Sequence, residues 1–318
     1  RTGGAPDVAF NGTNYLMVWP DDATYPNFVI YGEVLSKTGT VVKAPFAIST
    51  TVGNFNDGGH IICLGGVCRV MWADKTTKAV YGRDIDSSGG FFSNEYGIES
   101  GTAAGFPGGD PFAACDASGN CLAVYDTGTD IRGSIGNATT VIKNTFVIAT
   151  KAPVTAGCTD SNPSPVVFDG TNYLVVWNDH SDCAPTPAWD VLAQQVDVNG
   201  NLVGSAFQVN TGSTNMAFFP TVAFDGTNIL VEWTDGRNDT NQDSVCDSNE
   251  GTCWDVYGQY ISKSATPVGS EFVIDNDAGN QLGALTGFNN GEFLTIMNTG
   301  FTMSTGTFGD VYGVFITP

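Results

Sequence analysis

Short apolar stretches joined by tight-turn residues recur along the whole chain. The first example spans residues 7–19, where an apolar segment, an Asn11-Gly12 pair and a second apolar segment ending at Trp19 follow one another. Asn-Gly and Asp-Gly pairs favour the two-residue turns that join antiparallel strands. Stretches this short indicate strands, and no segment shows the longer period of an amphipathic helix. The pattern therefore predicts an all-β chain.

The hairpin recurs with a period of about 53 residues, so that six copies fill the 318-residue chain. In each copy the second predicted strand ends at a bulky apolar residue, which we call the anchor. The anchors are Trp19, Trp72, Tyr125, Trp177, Trp233 and Met297. A repeat of this length holds more than one hairpin, so further strands are expected after each anchor.

Two more short strands are predicted downstream of the anchors. The third strand of a copy centres on a Val-Tyr-Gly-like sequence, and the fourth on a Phe-x-Ile-like sequence. The third-strand sequences occupy residues 29–32, 80–82, 130–133, 190–193, 255–258 and 310–313. The fourth-strand sequences occupy residues 46–48, 96–98, 146–148, 207–209 and 272–274. Every copy except the last therefore contains four predicted strands.

Four-stranded units repeated around an axis form a β-propeller. A linear solenoid is the alternative, but these units are longer than usual solenoid repeats. We predict a single all-β domain over residues 1–318, with blades at roughly 1–52, 53–105, 106–158, 159–213, 214–276 and 277–318. The strand order resembles the six-bladed propellers of the TolB type and related bacterial surface-protein repeats. This resemblance implies the fold alone, because propellers carry many unrelated functions.

The last blade has no fourth-strand sequence after residues 310–313. We therefore expect blade six to lack its outer strand within this chain. An unpaired strand edge is a template for the addition of another strand. Either further residues of a longer chain or a neighbouring chain would supply that strand.

The charge of the chain narrows the choice of partner. Asp and Glu number 33 against 12 Lys and Arg, which gives a formal net charge of −21. Such a surface repels phosphate backbones and anionic headgroups, so nucleic acid and membrane surfaces are poor partners, and no membrane insertion is expected. No apolar run approaches the roughly 18 residues that cross a bilayer. Divalent cations and neutral ligands such as glycans suit this charge, which also serves solubility.

Eight cysteines form four pairs that are close in sequence or in the repeat. Cys63 and Cys68 occupy positions where other copies place facing apolar residues across the first hairpin, as do Cys115 and Cys121. Opposed side chains on an antiparallel pair come close to disulfide distance. We also predict the loop bridges Cys158–Cys183 and Cys246–Cys253. Four bridges indicate an oxidising compartment, and hence a secreted or cell-surface protein.

The loop after the fifth anchor carries a candidate calcium site. Residues 239–250 follow the twelve-residue register of an EF-hand loop, with oxygen ligands at its usual positions. The predicted ligands are Asp239, Asn241, Asp243, the carbonyl of Val245, Asp247 and Glu250. Ser244 stands where glycine normally makes the sharp turn, and no flanking helices are expected. The alternative is a solvated acidic loop held by Cys246–Cys253.

Aspartates follow the anchors in most blades, and two tryptophans precede third strands. A carboxylate repeated around a ring indicates a structural role, whereas glycosidase chemistry needs one specific pair. We therefore predict no catalytic residue. Trp189 and Trp254, beside Asp179 and Asp235, are candidates for stacking on a sugar; the alternative is that these rings cap the blade core.

These features predict an extracellular, non-catalytic recognition module for a glycan or protein, with a structural calcium ion. One alternative is a structural subunit of a surface layer or filament, assembled from copies of the chain through the open edge of blade six. A second alternative is a secreted glycan hydrolase or lyase, which would require a unique carboxylate pair.

Overall fold

The structure is a computed structural model of the chain. It describes residues 6–24, 27–50, 53–54, 56–74, 77–99, 111–127, 129–137, 139–150, 165–180, 189–211, 217–238, 254–277, 279–300 and 309–318. The side chains of residues 22–24, 27, 53–54, 56–58 and 179–180 are outside this description. Among these residues there is no helix long and apolar enough to cross a membrane.

The first three blades account for thirteen strands. Blade one contains β1 (Asp7–Phe10), β2 (Asn14–Thr24), β3 (Asn27–Ser36), β4 (Val41–Ala47) and the short β5 (Gly53–Asn54). Blade two contains β6 (Asn56–Leu64), β7 (Val67–Asp74), β8 (Ala79–Asp86) and β9 (Tyr96–Glu99). Blade three contains β10 (Phe112–Cys115), β11 (Cys121–Asp126), β12 (Asp130–Gly136) and β13 (Val141–Thr150).

The last three blades account for eleven strands. Blade four contains β14 (Val166–Phe168), β15 (Asn172–His180), β16 (Trp189–Asp197) and β17 (Leu202–Gln208). Blade five contains β18 (Ala217–Phe224), β19 (Asn228–Asp235), β20 (Asp255–Ser262) and β21 (Pro267–Asp275). Blade six contains β22 (Gln281–Asn289), β23 (Glu292–Thr299) and β24 (Val311–Ile316).

The predicted fold class is confirmed: the chain is an all-β, six-bladed propeller of antiparallel blades, and its last sheet has three strands. Sequence patterns did not predict β5, which pairs with β3 at the edge of blade one. Residue contacts divide the chain into two compact units. The first comprises residues 1–148 and 198–200, and the second comprises residues 149–197 and 201–318. The prediction of one domain over the whole chain stays a prediction.

Each unit buries apolar side chains between neighbouring sheets. In the first unit, Leu16 and Val18 of β2 pack in one cluster with Val70 and Trp72 of β7. In the second unit, Leu174 and Val176 of β15 pack with Val231 and Trp233 of β19. Successive residues of a strand point to opposite faces, so each inner strand contributes to two such interfaces. The anchors Trp72, Tyr125, Trp177, Trp233 and Met297 are at most 2% exposed.

An aspartate or asparagine side chain fixes the first hairpin in three blades. Asn11, Asp169 and Asp225 each accept hydrogen bonds from the backbone N–H groups two and three residues further on. The residue between is a glycine with φ of 93°, 90° or 98°, a conformation that glycine adopts without steric cost. The turn chemistry that the sequence displays therefore sets the strand register.

Two of the predicted disulfides are present in the described structure, Cys63–Cys68 and Cys115–Cys121. Each joins directly opposed residues of a first hairpin. At the same register, Phe10 and Tyr15 pack with their ring centroids 5.0 Å apart, and two other blades place aromatic pairs at 4.9 Å. Sulfur bridges and ring pairs are thus alternative ways to join the same two strands. Cys158, Cys183, Cys246 and Cys253 lie outside the described residues.

Candidate functional site

Asp235 lies at the end of β19 and is fully buried. Its Oδ2 accepts a hydrogen bond of 2.8 Å from the indole N–H of the anchor Trp233. Arg237 binds both carboxylate oxygens, with Nε 2.9 Å from Oδ1 and a terminal nitrogen 2.7 Å from Oδ2. The carboxylate is therefore occupied by neighbours in its own blade.

Arg237 extends this network to the outer strands of blade five. Its second terminal nitrogen lies 2.7 Å from a carboxylate oxygen of Glu271, and its guanidinium carbon lies 3.8 Å from the ring centroid of Tyr257. Hydrogen bonds to Asp235 raise the pKa of Arg237, against the lowering effect of burial. The side chain of Asp235 thus holds the loop end of blade five together, and its charge is balanced within the protein.

The two candidate tryptophans belong to an aromatic cluster in the second unit. Phe218 packs edge-on against both rings, with centroids 5.7 Å from Trp189 and 5.2 Å from Trp254. Trp254 is 2% exposed, whereas Trp189 is half-buried. This packing favours the core-capping role for Trp254 over stacking on a sugar. Asp179 pairs with Asp190 through the backbone, and its side chain is outside the described part of the chain.

All six predicted calcium ligands lie outside the described residues: Asp239, Asn241, Asp243, Val245, Asp247 and Glu250. Among the residues that are described, no group of three or more His, Cys, Asp or Glu side chains is arranged to hold a metal ion. Calcium binding stays a prediction from the sequence of residues 239–250.

Other acidic residues at strand ends serve local structure. Asp74 is 1% exposed and accepts a hydrogen bond of 2.8 Å from the hydroxyl of Thr77. On an inner strand, the imidazole Nδ1 of His60 lies 2.9 Å from Asp7. Burial acts to raise the pKa of Asp7, but hydrogen bonds from His60 and from backbone N–H groups outweigh it and the pKa is lowered. His60 therefore fastens β6 to β1, since β1 carries the carboxylate.

A buried glutamate between blades five and six was not among the predicted site residues. Glu232 of β19 is 0% exposed, and the hydroxyl of Thr295 donates to its Oε1 over 2.6 Å. Burial raises the pKa of Glu232 to about 7, although the hydrogen bond from Thr295 and the neighbouring hydroxyl of Thr286 oppose this shift. The sequence could have pointed to Glu232, because the other five copies carry an apolar residue immediately before the anchor.

A second buried charge lies between blades two and three. Arg69 of β7 binds Asp84 of β8 through two nitrogens, at 2.9 Å and 3.1 Å, and donates to the carbonyl of Gly136 in blade three. The hydroxyl of Tyr96 also donates to Asp84 over 2.9 Å. Burial acts to lower the pKa of Arg69, but the hydrogen bond with Asp84 raises it. This cluster joins two blades and offers no free group for chemistry.

The third strand of blade six presents an exposed apolar edge. In the other five blades, the third strand pairs with a second and a fourth strand. Among the described residues, β24 pairs with β23 alone. Val311 is 68% exposed and Tyr312 is 52% exposed. This strand is the candidate binding surface that the described residues define best.

Comparison with known proteins supports the propeller fold and assigns no family. No protein-family model matches the chain, and no curated protein does. A protein of unknown function from Dyadobacter fermentans DSM 18053 is 9% identical and has a TM-score of 0.58, with 99% of this chain and 95% of that chain covered. Hydrazine synthase from Kuenenia stuttgartiensis is 11% identical with a TM-score of 0.56, covering 91% and 74%.

A prolyl endopeptidase structure is 10% identical with a TM-score of 0.51. It covers the whole of this chain, which spans only 42% of that protein. At these identities the likenesses establish the architecture alone, because propellers carry many unrelated functions. The chain is thus similar in fold to these proteins.

Proposed function

We propose that the chain is an extracellular, non-catalytic binding module. The observation that carries this proposal is the exposed third strand of blade six, whose edge offers backbone hydrogen-bonding groups beside exposed apolar side chains. Strand addition to such an edge is a recurrent mode of peptide recognition. Of the two predicted ligand classes, this geometry favours a polypeptide over a glycan.

We assign no catalytic role in this proposal because three of the described aspartates are used in local contacts. Asp235 is neutralised by Arg237, Asp84 by Arg69, and Asp74 accepts from Thr77. Glycoside hydrolysis needs a pair of carboxyl groups that flank a substrate in a cleft. The carboxylates named here are buried in contacts within their own blades or between adjacent blades.

The extracellular location is supported by the two cysteine bridges, because disulfides persist in oxidising compartments. Calcium binding by residues 239–250 belongs to the same proposal, with the ion holding the longest loop of blade five.

The function is tested by presenting the purified chain to three kinds of candidate ligand. A random displayed-peptide library should yield enriched sequences, a glycan array should give no specific signal, and incubation with polysaccharides should release no reducing ends. Release of reducing ends that saturates with substrate would establish the hydrolase alternative. A library without enriched peptides, together with specific glycan binding, would contradict the choice of a polypeptide ligand.

Calcium should raise the thermal midpoint in proportion to the logarithm of its free concentration, because a ligand that binds only the folded state stabilises it. The measurement is a melting curve across buffered calcium concentrations, with elemental analysis of the dialysed protein. Asp243→Asn should remove the dependence, whereas Asp197→Asn, at the end of β16, should preserve it. A midpoint that is the same in calcium and in excess chelator would contradict the site.

A further inference from the structure

Glycine in the third strand makes room for side chains of the fourth strand. Four of these glycines are buried: Gly32, Gly82, Gly133 and Gly258. Gly32 lies under an Ile side chain, and each of the other three lies under an Ile and an aromatic side chain. A Cβ atom added to Gly32 would lie 2.6 Å from Cδ1 of Ile48. At the other three positions the distance to the nearest fourth-strand atom would be 2.9 Å. The four glycines form matching sockets.

The fourth strand meets this socket in a constant register. Gly32 lies opposite Phe46, Gly82 opposite Tyr96, and Gly258 opposite Phe272. Two residues after the aromatic, the N–H of Ile48 donates to the carbonyl of Ile30 over 2.7 Å. Blade four repeats both features with Ala193 in place of glycine. The socket therefore selects an aromatic residue followed, two positions later, by Ile or Val.

Blade six has the socket but, among the described residues, no fourth strand in it. Gly313 stands in β24 where the other blades have their buried glycine or alanine, yet it is exposed. An added Cβ would meet only Leu294 Cδ1 at 3.3 Å and the carbonyl of Thr295 at 3.8 Å, both on the inner side of the strand. The preceding Tyr312 is 52% exposed, whereas its counterparts Tyr31 and Tyr257 are half-buried. The outer side of β24 thus has the shape of the other third strands without their cover.

We propose that the outer edge of β24 binds an extended segment of another polypeptide that carries an aromatic residue, any residue, and Ile or Val. The segment runs antiparallel to β24, its aromatic ring lies over Gly313, and the N–H of its Ile or Val donates to the carbonyl of Val311. This proposal rests on the proposed function and names the sequence that the binding module recognises. Since the chain is strongly acidic, a neutral or basic segment is favoured.

A second copy of the chain is a poor donor of this segment. The five fourth-strand sequences of this kind are already seated on third strands of their own blades, at residues 46–48, 96–98, 146–148, 207–209 and 272–274. Donation of one would open the donor blade and expose another socket. A polypeptide with an uncommitted segment binds without that loss.

The probe is a labelled, end-capped peptide that copies residues 141–150 of this chain. It contains Phe146 and Ile148 in the required spacing and carries one lysine and no acidic residue. Its affinity is measured by fluorescence anisotropy, and hydrogen exchange locates the bound strand. A second peptide, with Phe146→Ser and Ile148→Ser, keeps the length and charge but lacks both side chains that fill the socket.

The matched protein variants are Gly313→Val and Gly97→Val. Val at residue 313 suits a strand but fills the socket, and overpacking of this kind should weaken binding about tenfold or more. Gly97 is an exposed glycine of β9 with open space around it, so its substitution should leave the affinity unchanged. The probe should also slow hydrogen exchange in β24, and the serine peptide should not bind.

Each other outcome contradicts the proposal in a distinct way. Equal affinity for the wild type and Gly313→Val would place the peptide elsewhere. A dimer in light scattering that Gly313→Val abolishes, without binding of the probe, would make a second copy the occupant. Enriched library peptides that lack the aromatic-x-Ile/Val pattern would overturn this inference and leave the proposed function standing.

Discussion

Replacing Glu232 with Gln should raise the free energy of unfolding by about 3 kcal/mol at pH 8, but by less than about 1 kcal/mol at pH 5. Burial raises the pKa of Glu232 in the folded protein to about 7 from an ordinary value of 4.5. Between these values the unfolded chain loses the proton while the folded chain keeps it. The free energy of unfolding therefore falls as pH rises from about 4.5 to about 7. Above about pH 7 the full destabilisation by the ionised Glu232 remains.

The gain in the Gln variant follows from keeping this side chain neutral at every pH. Around Glu232 the described neighbours are the hydroxyls of Thr286 and Thr295 and the half-buried Tyr260, so no basic group offsets the carboxylate. The measurement is urea-induced unfolding at pH 5, 6.5 and 8, a range that avoids the isoelectric region near pH 4.1. Glu292→Gln, on the exposed surface of β23, should show no such dependence. An equal gain at pH 5 and pH 8 would show that the titration of Glu232 is not its cause.

Replacing Arg69 with Met should lower the free energy of unfolding by about 3–5 kcal/mol, the usual cost of leaving one partner of a buried ion pair alone. Arg69 and Asp84 are 8% and 5% exposed, and the pair is bidentate. The long apolar chain of Met fills the space of the arginine, so the loss reports mainly the isolated carboxylate. Urea-induced unfolding at pH 7 measures it.

Neutralising the partner should restore most of that loss. The double variant Arg69→Met with Asp84→Asn should lie within about 2 kcal/mol of the wild type, because no buried charge is left unbalanced. Arg132→Met is the control, since Arg132 and Asp130 are 24% and 16% exposed. More exposed pairs contribute about 1 kcal/mol or less. A loss at Arg69 that the second substitution leaves unchanged would indicate a packing defect.

The fold was predictable from the sequence because each blade repeats the same local chemistry. Turn pairs such as Asp169-Gly170 set the hairpin register, and the anchors mark the end of every second strand. The same register predicts Cys63 opposite Cys68, and the two residues are paired in the hairpin. The short β5 was missed, because two residues carry no periodic pattern.

The candidate site was less predictable, since its side chains are paired across positions that no local pattern relates. Asp235 was identified as a rim carboxylate, but its partner Arg237 also binds Glu271, which lies on a different strand. Trp254 is a residue type that often stacks on sugars. Only its packing against Phe218 indicates a core role. At residues 239–250, the spacing of the oxygen-bearing residues predicts the calcium site.

The meaning of the third-strand glycines required the structure. Gly82 and Gly313 are equivalent in sequence, yet one is buried under Tyr96 and the other is exposed. A repeated motif identifies the socket, whereas only the strand pairing shows which sockets are filled. In the last copy, Gly313 keeps the sequence of the repeat but lacks the fourth-strand side chains that cover the other third-strand glycines among the described residues.

The first hairpin also bears on how the protein ages chemically. Asn11-Gly12 is the type of dipeptide that deamidates most readily, through attack of the glycine nitrogen on the asparagine amide. Blades four and five already carry Asp at this position, with the same two hydrogen bonds to the backbone. Hydrolysis of Asn11 to Asp would therefore leave the turn intact and add one negative charge. Isoaspartate would instead disturb the hairpin, because its longer backbone shifts the carboxylate that accepts these two hydrogen bonds.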